Sequence, residues 1–301
     1  MTRLILTLTS LLAGVSVFAQ DPYLRPSLET RAAMTNEQGV IPQPFLALTN
    51  VNVVDVRSGE ILAATTVVVR DGLIASVGAD APQGARVIDM LGRYMTPGLF
   101  EGHFHGGNVD AAQRALVSGV TTAKGASVGG YTDVALRDMV KAGLLVGPDI
   151  LAAGVYVTPE LGNTSAVLMD SRLQKFANKT LHGEDALREV VNINIDRGVD
   201  WIKTRSSGLS SRTGGPDALT QVYSDEELRA IVDEAAKRDV PVSCHAHGIE
   251  VVIAAIEAGC TSIEHASYID DEGLRLMKER GTLWIPTYIS VVGFQLPHDD
   301  L

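Results

Sequence analysis

The hydrophobic pattern changes character three times along the chain. Residues 4–18 form an apolar run broken only by Thr7, Thr9, Ser10, Gly14 and Ser16, with Arg3 before it and a polar turn at Gln20. A positive start, a run too short and broken to span a bilayer, and small residues around Ala19 predict a signal peptide over 1–19. Residues 20–44 are polar, contain proline and show no period, as a lead-in segment does. From Phe45 the apolar positions alternate loosely (Leu46, Leu48, Val51, Val53, Val54, Val56) up to the turn signal Arg57-Ser58-Gly59. Residues 65–69, 73–77 and 86–88 are further short apolar runs, and Asp71-Gly72 is a tight-turn dipeptide. Strands joined by tight turns, with no helix between them, predict a small antiparallel β domain over 45–93.

From Tyr94 onward, through residue 301, short apolar strands alternate with amphipathic stretches. The periodicity predicts helices over 111–118, 132–142, 184–196, 224–238, 251–257 and 272–279. It predicts strands over 120–122, 150–157, 201–203, 240–244, 262–263 and 283–285. Ser224-Asp225-Glu226-Glu227 has the spacing of a capping box. Strands alternating with helices predict a parallel sheet, either closed as a β/α barrel or doubly wound. No repeat and no glycine-rich dinucleotide fingerprint is present.

Composition adds bounds. The chain has 301 residues, 46% hydrophobic and 20% charged, which is ample for a core. A net charge of −11 argues against a nucleic-acid or anionic-membrane partner and leaves a small-molecule substrate open. The only cysteines, Cys244 and Cys260, fall in separate elements. Export would permit a disulfide between them, but the reading adopted is two small buried core residues.

The chemistry collects at the carboxyl ends of predicted strands, where β/α barrels carry their catalytic groups. His103-Phe104-His105 puts two imidazoles on one face of a strand, as two ligands of one metal require. Alone, such a pair is a weak signal. Lys203 ends the strand Trp201-Ile202-Lys203. If it points inward, burial makes its amine lose charge readily, and a neutral amine can take up carbon dioxide as a carbamate that bridges two metals. His245-Ala246-His247 repeats the same-face pair, and His265 ends a fourth strand. Glu264, adjacent to His265, should point away from whatever His265 faces. Nitrogen donors recurring at successive strand ends make the conjunction far stronger than any member, and imidazole suits zinc, iron, nickel or manganese.

At these residues the sequence resembles the amidohydrolase superfamily, within it the exported imidazolonepropionase-like and prolidase-like branch. The matching pieces are Met95-Thr96-Pro97-Gly98-Leu99, Gly119-Val120-Thr121-Thr122, Ile202-Lys203, His245-Ala246-His247-Gly248, Ile263-Glu264-His265 and Ile285-Pro286-Thr287. The resemblance implies a (β/α)8-type TIM barrel with a small N-terminal β-sandwich domain completed by strands that follow the barrel. It implies two divalent metal ions, expected to be zinc. His103 and His105 would hold one and His245 and His265 the other, with carboxylated Lys203 as the bridging ligand. His247 would line the substrate pocket. The implied reaction is hydrolysis of an amide or dipeptide bond through a metal-bound hydroxide, in a periplasmic or secreted protein that is compatible with a homo-oligomer. Hydrolysis of cyclic amides, esters or organophosphates is the alternative on the same metals.

The family's proton-transferring carboxylate is an aspartate closing an eighth strand. Leu301 follows soon after the seventh predicted strand, and Asp299 and Asp300 lack a strand context. The expectation is therefore a barrel lacking its last β/α unit, with the catalytic residue unassigned. Such a chain would be poorly stable and weakly active, a metal-binding but catalytically incomplete homologue. The Ser- and Gly-rich segment 205–216 suits a substrate loop, in which Arg205 or Arg212 would bind a dipeptide carboxylate. The competing reading of each is a solvated loop arginine.

Overall fold

A computed structural model describes residues 46–208 and 217–288. The segments read as a signal peptide and a lead-in, with Arg212, Asp299 and Asp300, lie outside the described residues. The chain divides into two compact units, the smaller comprising the described residues up to Leu99 with Val117–Gly119 and Ala142–Val146.

The smaller unit is one mixed sheet. Its strands are β1 (Leu46–Val54), β2 (Ile61–Arg70), β3 (Leu73–Val77), β4 (Arg86–Asp89) and β5 (Tyr94–Met95). They run in the order β3-β2-β1-β4, with β5 also on β1. The Asp71-Gly72 turn between β2 and β3 has positive φ at both residues, 54° and 77°, as a two-residue hairpin of this hand needs. The expectation of an all-antiparallel unit is corrected here. β1 with β2 and β2 with β3 pair antiparallel, but β4 lies parallel to β1 because the chain crosses over after β3, and β5 continues along the same edge of β1. Ala47, Val51, Val67 and Val68 are its buried residues.

The larger unit carries strands β6 (Leu99–Phe104), β7 (Val120–Gly125), β8 (Asp149–Leu151), β9 (Ile202–Arg205), β10 (Val242–Ala246), β11 (Ser262–His265) and β12 (Leu283–Ile285). Its helices are α1 (Val109–Val117), α2 (Thr132–Lys141), α3 (Glu184–Asp196), α4 (Asp225–Ala236), α5 (Ile249–Glu257) and α6 (Asp271–Arg280). Two sheets form, β6-β7-β8 and β9-β10-β11-β12, with parallel pairing from β7 to β8 and from β9 through β12. A parallel bridge between Val157 and Thr204 joins the end of one sheet to the start of the other. Spatial order thus follows sequence order without reversal. A doubly wound sheet has a switch point where the order reverses, and these strands have none.

Helix positions follow the predicted periodicity. Ser224 caps α4 by accepting from Glu227 N while Glu227 returns a bond to Ser224 N, the box read from the sequence. The strand expected over 150–157 is shorter. Beyond Leu151 side chains take the amides of Ala153, Gly154 and Val155, and backbone pairing returns at Val157. Asp133 Oδ2 accepts from the amides of Ala153 (2.7 Å) and Gly154 (2.9 Å). The Asn194 amide accepts from Val155 N and donates to Val155 O. Among the described residues, no helix is long and apolar enough to cross a membrane.

Outward-facing residues of β9–β11 (Ile202, Cys244, Ile263) pack with Leu187, Val190, Leu228, Ile231 and Ile256 from the helices. Cys244 and Cys260 are buried in that layer as expected, but they are joined as a disulfide, with Cα atoms 6.0 Å apart. The reading of two unlinked core cysteines is corrected. β10 brings Cys244 to the outer face, and the loop after α5 returns Cys260 to the same layer. Closing this 16-residue separation restricts the unfolded chain. Reduction, or Cys260→Ala, is therefore expected to lower stability by about 3 kcal/mol, read as a fall in the urea midpoint at unchanged slope.

Candidate metal centre

Register fixes which side chains meet inside the larger unit. Ser243 lies opposite Ser262 and Lys203, and His245 opposite Glu264 and Arg205. With period two along each strand, these six side chains share the face opposite the Cys244 layer. His103 and His105 join them from β6. The ring centroids of His103 and His105 are 4.8 Å apart, those of His103 and His265 4.9 Å, and those of His245 and His265 4.6 Å. His247 stacks on His265 at 4.7 Å and 11°. All five histidines therefore form one cluster around His265. Ligand atoms of His245, His247 and His265 alone lie within 4.8 Å of one another, close enough to hold one ion.

The rings are oriented by hydrogen bonds, and for His105, His245, His247 and His265 burial favours the neutral form in which imidazole binds metal. His105 Nδ1 bonds to the Ser127 carbonyl at 2.8 Å, which leaves Nε2 for the site; it lies 3.0 Å from His103 Nε2. His245 Nε2 bonds to the Gly208 carbonyl at 3.2 Å, leaving Nδ1. His247 Nδ1 meets Ser267 Oγ at 2.7 Å. Burial is the leading cause in each case: it lowers His105, brings His247 down to about 4, and holds His245 and His265 well below the ordinary imidazole range. Nearby Lys203 adds to the effect on all four.

Lys203 is inward and 1% exposed, so it does not snorkel. Its Nζ is buried without a hydrogen-bond partner, and burial pushes its pKa down to about 8 against the partial opposition of Glu264. An orphaned, easily neutralised amine beside a cluster of neutral imidazoles matches the donor set of a carbamate-bridged metal pair.

Glu264 is the main departure from the sequence reading. It was expected to face away from His265, yet both enter the same cavity. Glu264 follows the alternation of β11 and is 0% exposed, pairing with His103 Nδ1 and lying 3.6 Å from Lys203 Nζ. His265 leaves the strand in the left-handed region, φ 72°, followed by Ala266 at 48°, and this brings its ring back inward. Non-glycine residues there are strained, and such strain gathers at functional sites. Burial, the largest influence on Glu264, would raise its pKa, but Lys203, His103 and Lys124 together hold it far below the carboxylate range.

Arg205 is corrected from a solvated loop arginine to a buried strand residue, 4% exposed and ion-paired with Glu160. Its Nε is buried without a partner.

A model of the amidohydrolase family matches residues 94–295, two thirds of the chain and the whole histidine cluster. The chain belongs to the amidohydrolase family. Proteins of this family generally use divalent metals. The ochratoxinase of Aspergillus niger is 32% identical over 276 residues, covering 76% of this chain and 56% of that protein. The imidazolonepropionase of Mesorhizobium japonicum is 26% identical over 251 residues, covering 71% and 61%. A prolidase crystallised with N-methylphosphonate-L-proline superposes with a TM-score of 0.67 at 27% identity, covering 80% of this chain and 66% of that one. The chain thus spans a little over half the length of the ochratoxinase it matches, and the family assignment with its prolidase-like branch agrees with the resemblance read from the motifs.

Sequence reasoning missed Lys124, Ser243, Ser262 and Glu160. Lys124 carried a legible signal, a lysine near the end of an apolar strand just as Lys203 is.

Proposed function

We propose that the protein is a metal-dependent amidohydrolase of (β/α)8 barrel type, hydrolysing an amide bond in a small N-acyl amino acid or dipeptide. The observation that carries this is the buried, unpartnered Lys203 amine beside five clustered histidines. His103, His105, His245 and His265 would hold two divalent ions, best suited to zinc, with carboxylated Lys203 between them. Held by these residues, divalent ions would supply a coordinated water of pKa lowered towards about 7 and polarisation of the scissile carbonyl. The sequential order of β6–β12 and the barrel neighbours support the closed architecture.

The protein's own groups supply the rest. Burial favours the proton-free form of His105, His245, His247 and His265, and Ser127, Gly208 and Ser267 hold three of these rings in place. His247 lines the substrate side, and the Arg205 guanidinium offers a planar donor set for a substrate carboxylate. The apolar run at 4–18 and the Cys244–Cys260 bond, of a kind that persists in oxidising compartments, support an exported protein.

The test is a panel of dipeptides, N-acyl amino acids, lactams and esters assayed with the natural protein before and after chelation, alongside its metal content. Amide hydrolysis lost on chelation and restored by zinc is expected. A metal-loaded protein that cleaves esters and leaves every amide intact would overturn the substrate class. A preparation that takes up no metal would overturn the centre. Arg205→Met is expected to raise KM for substrates with a free carboxylate by about tenfold or more, one lost charge-assisted pair, with a smaller change for their amidated analogues. Equal effects on both would remove Arg205 from substrate recognition.

A further inference from the structure

Two lysines are buried in the larger unit, Lys124 at 3% and Lys203 at 1% exposure. Their amines have opposite surroundings. Lys124 Nζ donates to Glu264 Oε1 at 2.6 Å, Ser243 Oγ at 2.9 Å and Ser262 Oγ at 3.2 Å, and it lies 4.7 Å from the centroid of the Trp201 ring. An ammonium has three N–H donors, so every one of them is used. Lys203 Nζ uses none, and its nearest carboxylate oxygen is Glu264 Oε2 at 3.6 Å. Glu264 therefore divides its two oxygens, one to the committed lysine and one towards the free lysine and His103.

We propose that Lys124 is a positioning residue for Lys203: it anchors Glu264 and supplies the fixed positive charge that lets a carboxylated Lys203 stand beside that carboxylate. This rests on the reading of Lys203 as a carboxylated metal ligand. In that modification the neutral Lys203 nitrogen attacks the carbon of carbon dioxide and a C–N bond forms. One C=O electron pair moves onto oxygen, and the displaced N–H proton leaves to solvent. The lysine thereby changes from neutral to singly negative. Glu264, ion-paired with Lys124, is a second carboxylate 3.6 Å from Lys203 Nζ, and two adjacent buried like charges disfavour each other strongly. Lys124 sits on the far oxygen of Glu264 and offsets it. The serines have a second consequence: with Glu264 they place three acceptors around Lys124 Nζ, which favours the ammonium, whose nitrogen carries no lone pair, so Lys203 is left to react.

The measurement is carbon-13 NMR of the natural protein in labelled bicarbonate, with metal content read on the same samples. Lys124→Met is expected to lower carbamate occupancy at fixed bicarbonate by about tenfold or more, the size of one like-charge effect on a pKa. Lys124→Met with Glu264→Gln removes both charges and is expected to restore most of the signal, a recovery that a merely structural role would not give. If the single variant fails to fold, the double variant carries the test by itself. Wild-type occupancy in a folded Lys124→Met protein, or no carbamate in a folded double variant, overturns the role of Lys124. No carbamate in the wild-type protein overturns the reading of Lys203 itself, and this role with it.

Discussion

Lys203→Met is expected to abolish amide hydrolysis and, in protein stripped of metal and bicarbonate, to raise stability at neutral pH. The two effects share one cause. The Lys203 amine is buried without a hydrogen bond, and burial, the leading influence, brings its pKa to about 8 from an ordinary 10.5. Between those values the unfolded chain binds a proton that the folded chain does not, so stability rises with pH across that window. Below about pH 8 both states are protonated and the burial cost is present in full; above about pH 10.5 both are neutral and it has gone. A difference of roughly 2.5 units corresponds to about 3 kcal/mol. Methionine fills similar volume without the charge, and Lys124 still satisfies Glu264 in the variant. Urea unfolding in chelator should show the variant ahead at pH 7, with the gap shrinking towards pH 10. A variant less stable than the wild type at both pH values would sink this account. The catalytic loss should reach about a thousandfold or more, because in the proposed centre a bridging Lys203 would support a metal contribution of several kcal/mol and each tenfold is about 1.4.

Much of this site was legible because strand chemistry obeys a simple period. His103 and His105, and His245 and His247, share a face for that reason, whereas the strand-end position of Lys203 alone favours a snorkelling side chain, and only the family motif Ile202-Lys203 marked it as inward. What alternation missed is the residue that breaks it. The left-handed backbone at His265 turns its ring back beside Glu264, and no local sequence feature announces a positive φ at a histidine. The polar floor was missed for another reason. Lys124, Ser243 and Ser262 are ordinary residues in their own strands, and only the register of β10 against β11, with β7 reaching across, brings them onto one carboxylate. Arg205 looked like a loop residue because the Ser- and Gly-rich stretch begins directly after it. The structure extends β9 through it instead. The disulfide likewise depends on a loop returning to its own layer, which spacing alone does not specify.

His265→Ala and His247→Ala are expected to separate two roles that geometry places side by side. His265 is the centre of the cluster, its ring within 4.9 Å of those of His103, His245 and His247. In the proposed centre its removal would take one nitrogen from a metal and leave the strained backbone at φ 72° with nothing to hold. The expected result is loss of about one metal ion per chain and a fall in kcat/KM of about a thousandfold or more, on the same arithmetic of several kcal/mol. His247 stands differently. Its Nδ1 is engaged by Ser267, and its ring lies flat on that of His265, so in the proposed centre it would support that ligand and not hold metal itself. His247→Ala should keep full metal content, raise KM, and lower kcat by no more than about a hundredfold, the range of a residue that orients a ligand. The same three histidines are close enough to bind a single ion together. If His247→Ala loses metal as completely as His265→Ala does, His247 is a ligand, and the partition of the centre into His103 with His105 and His245 with His265 is wrong. Metal analysis decides this independently of turnover, because the ligand count changes whether or not a substrate is found.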